Sequence, residues 1–295
     1  MSTMLVHVNS MQSSQADDDF HLITLWLQGK SLHSQEAYQR DIEQFVDFVD
    51  LPLSEVKIQH IWDWMDSLKT KDHLPATLAR KLAALKSLFT YGHKIGYLVF
   101  NVGAAVNLPK VQDKLSERIL SEEDISAILG QATTLRNHVL LKLFYASGAR
   151  VSELVNLYWG AVISRNHDQG QITVHGKGNK TRVLKLTGAV WTDLMELKSQ
   201  TENTQSNAPV FQSQKGGHLS RVQIWRIVRD TAKKAGFDQN VSPHWFRHAH
   251  ASHSLDRGAP IHLVKETLGQ QSLTTTSRYT HARPDESSSE YLDIK

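Results

Sequence analysis

The 295-residue chain is long enough for about two domains, at roughly 150 residues per domain. Its hydrophobic fraction of 40% and charged fraction of 21% are ordinary for a protein with packed cores, and no apolar run reaches the roughly 20 residues that span a bilayer. Cysteine is absent, which excludes disulfides and thiolate chemistry, and the first residues lack the pattern of a secretory signal, so we expect a cytoplasmic protein.

Residues 1–19 are polar and show no usable periodicity, so we predict a flexible N-terminus. Apolar residues then recur at helical intervals across residues 20–106. A first helix leads to a turn at Gly29, and Ser34 is the predicted N-cap of a second helix over residues 35–49. A third helix is predicted from Leu53 to Leu68, and Pro75 opens a fourth. These elements predict a small all-α bundle.

A break in the periodicity at residues 107–118, with Pro109 and several charges, predicts an extended linker. Ser121, followed by three acidic residues, is a predicted helix start because the helix dipole favours carboxylates in the first turn. We therefore place a second domain at residues 119–283 and a C-terminal tail at residues 284–295.

The second domain is predicted to be helical except for one β-hairpin. Its strands are Ile172–Val174 and Val183–Leu186, and the turn between them, GKGNKT, is basic and rich in glycine. Lys177 lies in this turn and could reach into a groove of a partner, although basic turns are common on any surface.

Charge is unevenly distributed although the net charge is only +3. From Phe211 to Arg283, Lys and Arg far outnumber Asp and Glu. A local basic excess favours a phosphate-rich partner, because phosphate contacts release condensed counterions. A merely solvated charged face is the alternative.

Besides the hairpin turn, two further segments carry side chains suited to phosphate chemistry. Arg150 follows a helix break at Ser147-Gly148, where its planar guanidinium could be presented to a phosphate or could pair with Glu153. His244 and Arg247 are three residues apart after Pro243 and share one side of a predicted helix. That pair combines a group that relays protons with a permanent cation.

A fourth segment, LGQQSLTTTSRYTH, runs from a predicted helix end at Leu268-Gly269 to Tyr279. A phenol has a pKa near 10, so a tyrosine attacks only beside cations or a general base. The histidines allow a competing prediction, a metal site at His244 and His248. No HExxH pattern and no carboxylate accompany them, and packing or solvation is the simpler interpretation of His248, His250 and His253.

The blocks YASGARVSELVNL, HGKGNKTRVLKL, SPHWFRHAHASH and LGQQSLTTTSRYTH resemble, in this order and spacing, the signature of the tyrosine recombinase (phage integrase) family. The likeness is greatest to the bacterial Xer-type recombinases and covers roughly residues 20–285. It implies a mainly α fold with an N-terminal SAM-like, DNA-binding helical bundle. A mostly α catalytic domain with a small antiparallel β-hairpin or sheet would follow.

The resemblance also implies a mechanism. Arg150 and Arg247 would hold the scissile phosphate, Lys177 would protonate the departing 5′ oxygen, and Tyr279 would form a 3′-phosphotyrosyl link. His244 would serve as general base or as a hydrogen-bond donor. Neither a metal nor another cofactor is implied. The partner would be a double-stranded DNA recombination site, bound at synapsis by a homo-tetramer or by a hetero-tetramer with a related recombinase.

One catalytic position departs from the family pattern. Gln270 stands where the family usually has histidine or tryptophan, and an amide can donate to a phosphate oxygen but carries no charge. We expect weaker transition-state stabilisation from it. Gln270 also favours the main alternative, a non-catalytic DNA-binding or architectural relative. A metal-dependent nuclease and a type IB topoisomerase are the remaining alternatives. The tail could dock on a neighbouring subunit through Tyr291 and Leu292, or it could fray.

Overall fold

The computed structural model describes residues 15–109, 115–176, 180–270 and 272. The chain divides into two compact units, Met1–Gln112 and Asp113–Lys295. In the described part of the chain, no helix is long and apolar enough to cross a membrane.

Within its described residues, the first unit is a bundle of four helices. They are α1 (Asp19–Gln28), α2 (Leu32–Val49), α3 (Ile58–Thr70) and α4 (Pro75–Lys94), with short 3-10 turns at Leu53–Glu55 and Val102–Ala105. Each helix turns one apolar face inward, and these faces form a single core around the largest buried side chains, Phe45, Trp64 and Phe89.

Two helix boundaries in this bundle differ from the prediction. Helix α2 begins at Leu32 and its N-cap is Ser31; the Ser34 hydroxyl lies 2.9 Å from the Ser31 hydroxyl, inside the first turn. The predicted helix Leu53–Leu68 is interrupted, because the Leu53 N–H donates to the Asp19 carboxylate at 2.8 Å and the chain forms a 3-10 turn before α3.

The second unit contains seven helices and one sheet within its described residues. The helices are α5 (Glu122–Gly130), α6 (Leu135–Ser147), α7 (Val151–Val155), α8 (Ala189–Ser199), α9 (Arg221–Lys234), α10 (Pro243–Asp256) and α11 (Ile261–Leu268). Short 3-10 turns lie at Ser116–Arg118 and Trp159–Ala161. Leu115 is buried against α10 and α11 in a small apolar cluster, so residues 115–118 are not the extended linker that we predicted.

The sheet has three antiparallel strands in the order β1 (Val162–Asn166), β2 (Gln169–His175) and β3 (Thr181–Thr187). The predicted hairpin corresponds to β2 and β3, with Ile172 paired to Leu184, and β1 is an additional edge strand that we did not predict. The fold class expected from the sequence is confirmed: a mainly α protein with one small antiparallel sheet.

Buried polar side chains are few in the described residues, and two groups of them connect elements. In the first unit, Asp41 of α2 accepts hydrogen bonds from Arg80 and Lys81 of α4. In the second unit, Glu153 and Arg247 are buried among α7, α10 and α11. A buried charge is costly unless it is paired, so such groups mark places where geometry is tightly specified.

Candidate active site

Arg150 lies where the sequence placed it, just past the end of α6. Gly148 takes the left-handed conformation that ends the helix (φ 58°), and Arg150 is the N-cap of α7. Its guanidinium donates to Glu153 Oε1 at 2.9 Å and to the carbonyl oxygen of Gly269 at 3.0 Å. The ion pair between Arg150 and Glu153 is therefore present, and the Arg150 side chain is 30% exposed.

Arg247 lies on the buried side of α10. It donates from Nη1 to the Gly148 carbonyl and from Nη2 to the Leu268 carbonyl at 2.6 Å. Only 5% of Arg247 is exposed, so its donors are aimed by the packing of three elements. A Cβ atom at position 148 would lie 2.7 Å from the His250 ring and 2.8 Å from Leu268, so only glycine fits this approach.

The last turn of α11 is where these arginines meet. Arg182 of β3 donates to the Thr267 carbonyl at 2.7 Å, Arg247 to Leu268 and Arg150 to Gly269. The final carbonyls of a helix lack partners within the helix and carry its negative dipole end, so they attract cations. The helix terminus therefore gathers three guanidiniums from three different elements.

His244 lies one turn before Arg247 on α10. Although its side chain reaches solvent, the protein packed around the ring lowers the pKa of His244, and the charges of Arg247 and Arg150 lower that pKa further. Both effects favour the neutral imidazole, which can accept a proton near neutral pH.

Glu153 is the acidic centre of the site, and the sequence analysis gave it no functional role. Its side chain is fully buried, and Arg182 donates to both carboxylate oxygens, at 2.6 and 2.8 Å. Burial raises the pKa of Glu153, but hydrogen bonds from Arg182 and from the Arg150 backbone and guanidinium outweigh burial, and the pKa lies below its usual value. The carboxylate is therefore charged at neutral pH.

Strand alternation is the signal that could have revealed Arg182. Leu184 and Leu186 are buried, and Arg182 is on the same face of β3 because successive side chains alternate. An arginine on the buried face of a strand needs hydrogen-bond acceptors, and the buried carboxylate of Glu153 provides two of them.

A basic face lies on helix α9. Ile224 and Val228 anchor the helix in the core, while Trp225 and Arg226 are exposed, and the Arg229 guanidinium lies 4.8 Å from the Trp225 ring centroid. This combination of cations with a partly exposed aromatic ring suits contact with a phosphate backbone.

Comparison with known proteins identifies the family. Residues 118–286 match the protein family described as "Phage integrase family". Residues 19–94 match the family described as "Phage integrase, N-terminal SAM-like domain". The chain is 33% identical to a protein named tyrosine recombinase XerC from Corynebacterium efficiens, covering 92% of this chain and 87% of the relative. The chain belongs to the phage integrase family of tyrosine recombinases.

Other similar proteins agree with this assignment. Tyrosine recombinase XerD of Pseudomonas aeruginosa is 32% identical over 89% of this chain and 91% of its own length. Among solved structures, a lambda integrase tetramer bound to a Holliday junction has a TM-score of 0.74 at 16% identity, covering 97% of this chain and 82% of that one. XerH bound to difH in a pre-cleavage complex has a TM-score of 0.70 at 21% identity, covering 93% and 84%. The resemblance drawn from the four sequence blocks is confirmed.

Four of the six predicted site residues of this tyrosine recombinase lie in the described part of the chain: Arg150, His244, Arg247 and Gln270. The backbone N–H of Gln270 donates to the Lys265 carbonyl at 3.1 Å. Gln270 directly follows Gly269, whose carbonyl accepts a hydrogen bond from Arg150. Lys177 and Tyr279 lie outside the described residues. The roles assigned to all six stay predictions.

The base of the hairpin that carries Lys177 is nevertheless described. The Gly176 N–H donates to the Lys180 carbonyl at 2.8 Å, and a Cβ atom at position 176 would lie 3.2 Å from Glu153 Oε1. The hairpin therefore leaves the sheet directly beside the Glu153 carboxylate.

The histidines of α10 have separate surroundings. The rings of His244 and His248 are 6.4 Å apart, centroid to centroid, and His250 Nδ1 lies 2.7 Å from the Tyr145 carbonyl. His253 Nδ1 lies 2.9 Å from the Tyr145 hydroxyl. Within the described ranges, no group of three His, Cys, Asp or Glu side chains is arranged to hold a metal ion.

Proposed function

We propose that this protein is a site-specific recombinase that cleaves and rejoins DNA strands through a 3′-phosphotyrosyl intermediate, without metal or ATP. One observation carries the proposal: Arg150 and Arg247, far apart in the sequence, donate to neighbouring carbonyls at the end of α11, beside His244. Paired guanidiniums with a neutral imidazole suit a phosphate that gains charge during attack.

In the proposed reaction, the Tyr279 oxygen bonds to phosphorus while the bond from phosphorus to the 5′ oxygen breaks. His244 takes the tyrosine proton or holds a phosphate oxygen, and Lys177 supplies the proton for the 5′ oxygen. Arg150 and Arg247 donate to the non-bridging oxygens, and Gln270 adds a neutral hydrogen bond. The phosphotyrosyl link keeps the bond energy, so another 5′-hydroxyl can reverse the attack and rejoin the DNA.

Duplex DNA is the proposed partner, and two observations support it. The basic face of α9 in the second unit is one, and the match of residues 19–94 to the SAM-like domain of phage integrases is the other. We further propose that four subunits act on two DNA sites, as a homo-tetramer or with a related recombinase. The similarity of fold to the lambda integrase tetramer bound to a Holliday junction supports this arrangement.

The proposed nucleophile can be tested by covalent capture. Wild-type protein is mixed with fragmented genomic DNA, protein-linked DNA is isolated under denaturing conditions, and the trapped ends are sequenced. The recovered site is then rebuilt as a duplex with a nick beside the cleaved bond, so that the short strand with the freed 5′-hydroxyl dissociates and the reverse attack cannot reseal the cut. We expect wild type to form a covalent adduct in excess EDTA, and Tyr279→Phe to bind the duplex without forming one.

Tyr291→Phe is the matched control, because it removes a phenol hydroxyl from the C-terminal tail and should leave adduct formation intact. Adduct formation by Tyr279→Phe would exclude Tyr279 as the nucleophile. Site-specific binding by wild type without any adduct would favour the non-catalytic relative, for which Gln270 is the supporting feature. Cleavage that stops in EDTA would favour a metal-dependent nuclease, and supercoil relaxation without recombination would favour a topoisomerase.

A further inference from the structure

Arg182 lies at the junction of the three segments that carry the proposed catalytic groups. It donates to both Glu153 oxygens, at 2.6 and 2.8 Å, and from Nε to the Thr267 carbonyl at 2.7 Å. Its side chain is only 14% exposed, and these hydrogen bonds fix the guanidinium on two sides. A planar guanidinium can satisfy both acceptors at once, whereas an ammonium is a single point charge.

Through Glu153, Arg182 acts on Arg150. The Glu153 oxygens that accept from Arg182 also accept from the Arg150 backbone at 2.7 Å and from its guanidinium at 2.9 Å. If Arg182 were absent, Arg150 would be the one remaining cation of this pair of arginines beside the fully buried Glu153 carboxylate. Arg150 would then be drawn toward Glu153. Arg182 therefore limits how strongly Glu153 holds Arg150.

Arg182 also borders the glycines that precede two proposed catalytic residues. A Cβ atom at position 269 would lie 3.0 Å from Arg182 Nη1, and one at position 176 would lie 3.6 Å from the same atom. Gly269 precedes Gln270 and Gly176 precedes Lys177. The strand that carries Arg182 begins at Thr181, four residues after Lys177. The Arg182 guanidinium thus lies between the base of the hairpin, the Arg150 loop and the end of α11.

We propose that Arg182 is a positioning residue for strand cleavage, which sets the placement of Arg150 and of the Gln270 end of α11 through Glu153 and the Thr267 carbonyl. This inference rests on the proposed function. It assigns Arg182 no contact with DNA. Its loss should slow cleavage of bound DNA and leave DNA affinity nearly unchanged.

The test uses full-length protein and the nicked duplex that carries the captured site. Arg182→Lys keeps the charge, but its single ammonium cannot reproduce the directed hydrogen bonds that Nε, Nη1 and Nη2 make to Thr267 and Glu153. We expect cleavage at saturating DNA to slow by about 10- to 100-fold, the effect of misplacing a catalytic group by about an ångström. DNA affinity, measured on the same duplex, should change by less than about 3-fold. Arg165→Lys, the same change at an exposed arginine of β1, should leave both quantities unchanged.

A second variant covers the case in which Arg182→Lys fails to fold. Glu153→Gln/Arg182→Gln replaces the buried ion pair by two amides and leaves neither charge of that pair unpaired. The double variant should unfold cooperatively, as a folded protein does, and should cleave the nicked duplex more slowly than the wild type.

The outcomes separate this inference from the proposed function. Absence of an adduct with wild type would remove both. A wild-type adduct together with unchanged cleavage by Arg182→Lys, or by the folded double variant, would overturn the positioning role alone. A loss of DNA affinity that accounts for the whole loss of rate would also overturn it.

Discussion

Arg247 of α10 donates a hydrogen bond of 2.6 Å to the carbonyl oxygen of Leu268, the last residue of α11. The two helices are therefore joined by a buried cation at the point where the chain turns toward Gln270. Gly269 follows in the left-handed conformation (φ 59°) and fixes the direction of that turn. The placement of Gln270 thus depends on Arg247 as well as on α11, which ends two residues before it.

Replacing Gln270 by histidine should speed cleavage. An imidazole can carry a positive charge beside the phosphate, which an amide cannot, so we expect single-turnover cleavage of the nicked duplex to rise about 10-fold. Gln270→Asn, which keeps the amide, is the control and should not accelerate the reaction. A rate for Gln270→His at or below wild type would contradict a phosphate-facing role for this position.

Removing one cation from α9 should weaken DNA binding through electrostatics. For Arg226→Ala, the slope of log affinity against log salt should become shallower by about one unit, because one fewer phosphate is neutralised. Fluorescence anisotropy on a duplex at several KCl concentrations measures that slope. Arg257→Ala is the control, because Glu122 already pairs with the Arg257 guanidinium at 2.6 Å. An unchanged slope for Arg226→Ala would remove α9 residue 226 from the DNA interface.

The partly buried histidine at position 250 should make stability depend on pH. Burial lowers the pKa of His250 to about 4, with the Arg247 charge contributing and the bond to the Tyr145 carbonyl opposing. The unfolded chain therefore binds a proton at a higher pH than the folded one. The resulting stability is complete above the unfolded pKa of about 6.5 and is lost as the pH falls toward about 4, by about 3 kcal/mol in total.

His250→Asn tests this dependence. The Asn amide can still donate to the Tyr145 carbonyl but does not titrate, so the free energy of unfolding should fall less between pH 7 and pH 4. Urea denaturation at several pH values gives the comparison. Equal pH dependence in the variant and the wild type would show that His250 is not responsible.

The ion pair inside the first unit should contribute strongly to its stability. Asp41 and Lys81 have side chains only 3% and 5% exposed, and their charged atoms are 3.2 Å apart. Asp41→Asn leaves the Lys81 charge buried with Gln44 as a neutral acceptor, and we expect the free energy of unfolding to fall by about 3 kcal/mol.

An exposed pair in the same bundle provides the control. Asp66 and Lys69 lie 2.8 Å apart with side chains 70% and 60% exposed, so Asp66→Asn should cost less than about 1 kcal/mol. Chemical denaturation followed by tryptophan fluorescence compares the two variants. Equal losses for Asp41→Asn and Asp66→Asn would mean that burial does not strengthen the Asp41 interaction.

Periodicity predicted most of the fold, and the failures have local causes. Strand β1 was missed because only Val162 of its five residues is buried, which leaves an edge strand without an alternating pattern. The start of α2 was misplaced because Ser31 and Ser34 are equally good caps in sequence. Pro75 and Ser121 were placed correctly because each has one favourable position, the first turn of a helix for Pro75 and the N-cap for Ser121.

The site was only partly predictable for a different reason. Motifs named Arg150, His244 and Arg247, but the hydrogen bonds of the two arginines to carbonyls at the end of α11 join residues up to 119 positions apart. The partnership of Arg182 with Glu153 spans 29 residues, and single-sequence patterns do not pair such distant charges. Strand alternation would have flagged Arg182 as buried without naming its acid.

The carbonyls of Thr267 and Leu268 end an eight-residue helix and that of Gly269 is its C-cap, and isolated helices of this length are barely stable in water. Fraying of that end would remove one carbonyl partner from each of three guanidiniums at the same moment, while Glu153 still holds Arg150 and Arg182 and the Gly148 carbonyl still holds Arg247. Under the proposed function, the three guanidiniums would therefore respond together to any change at the end of α11.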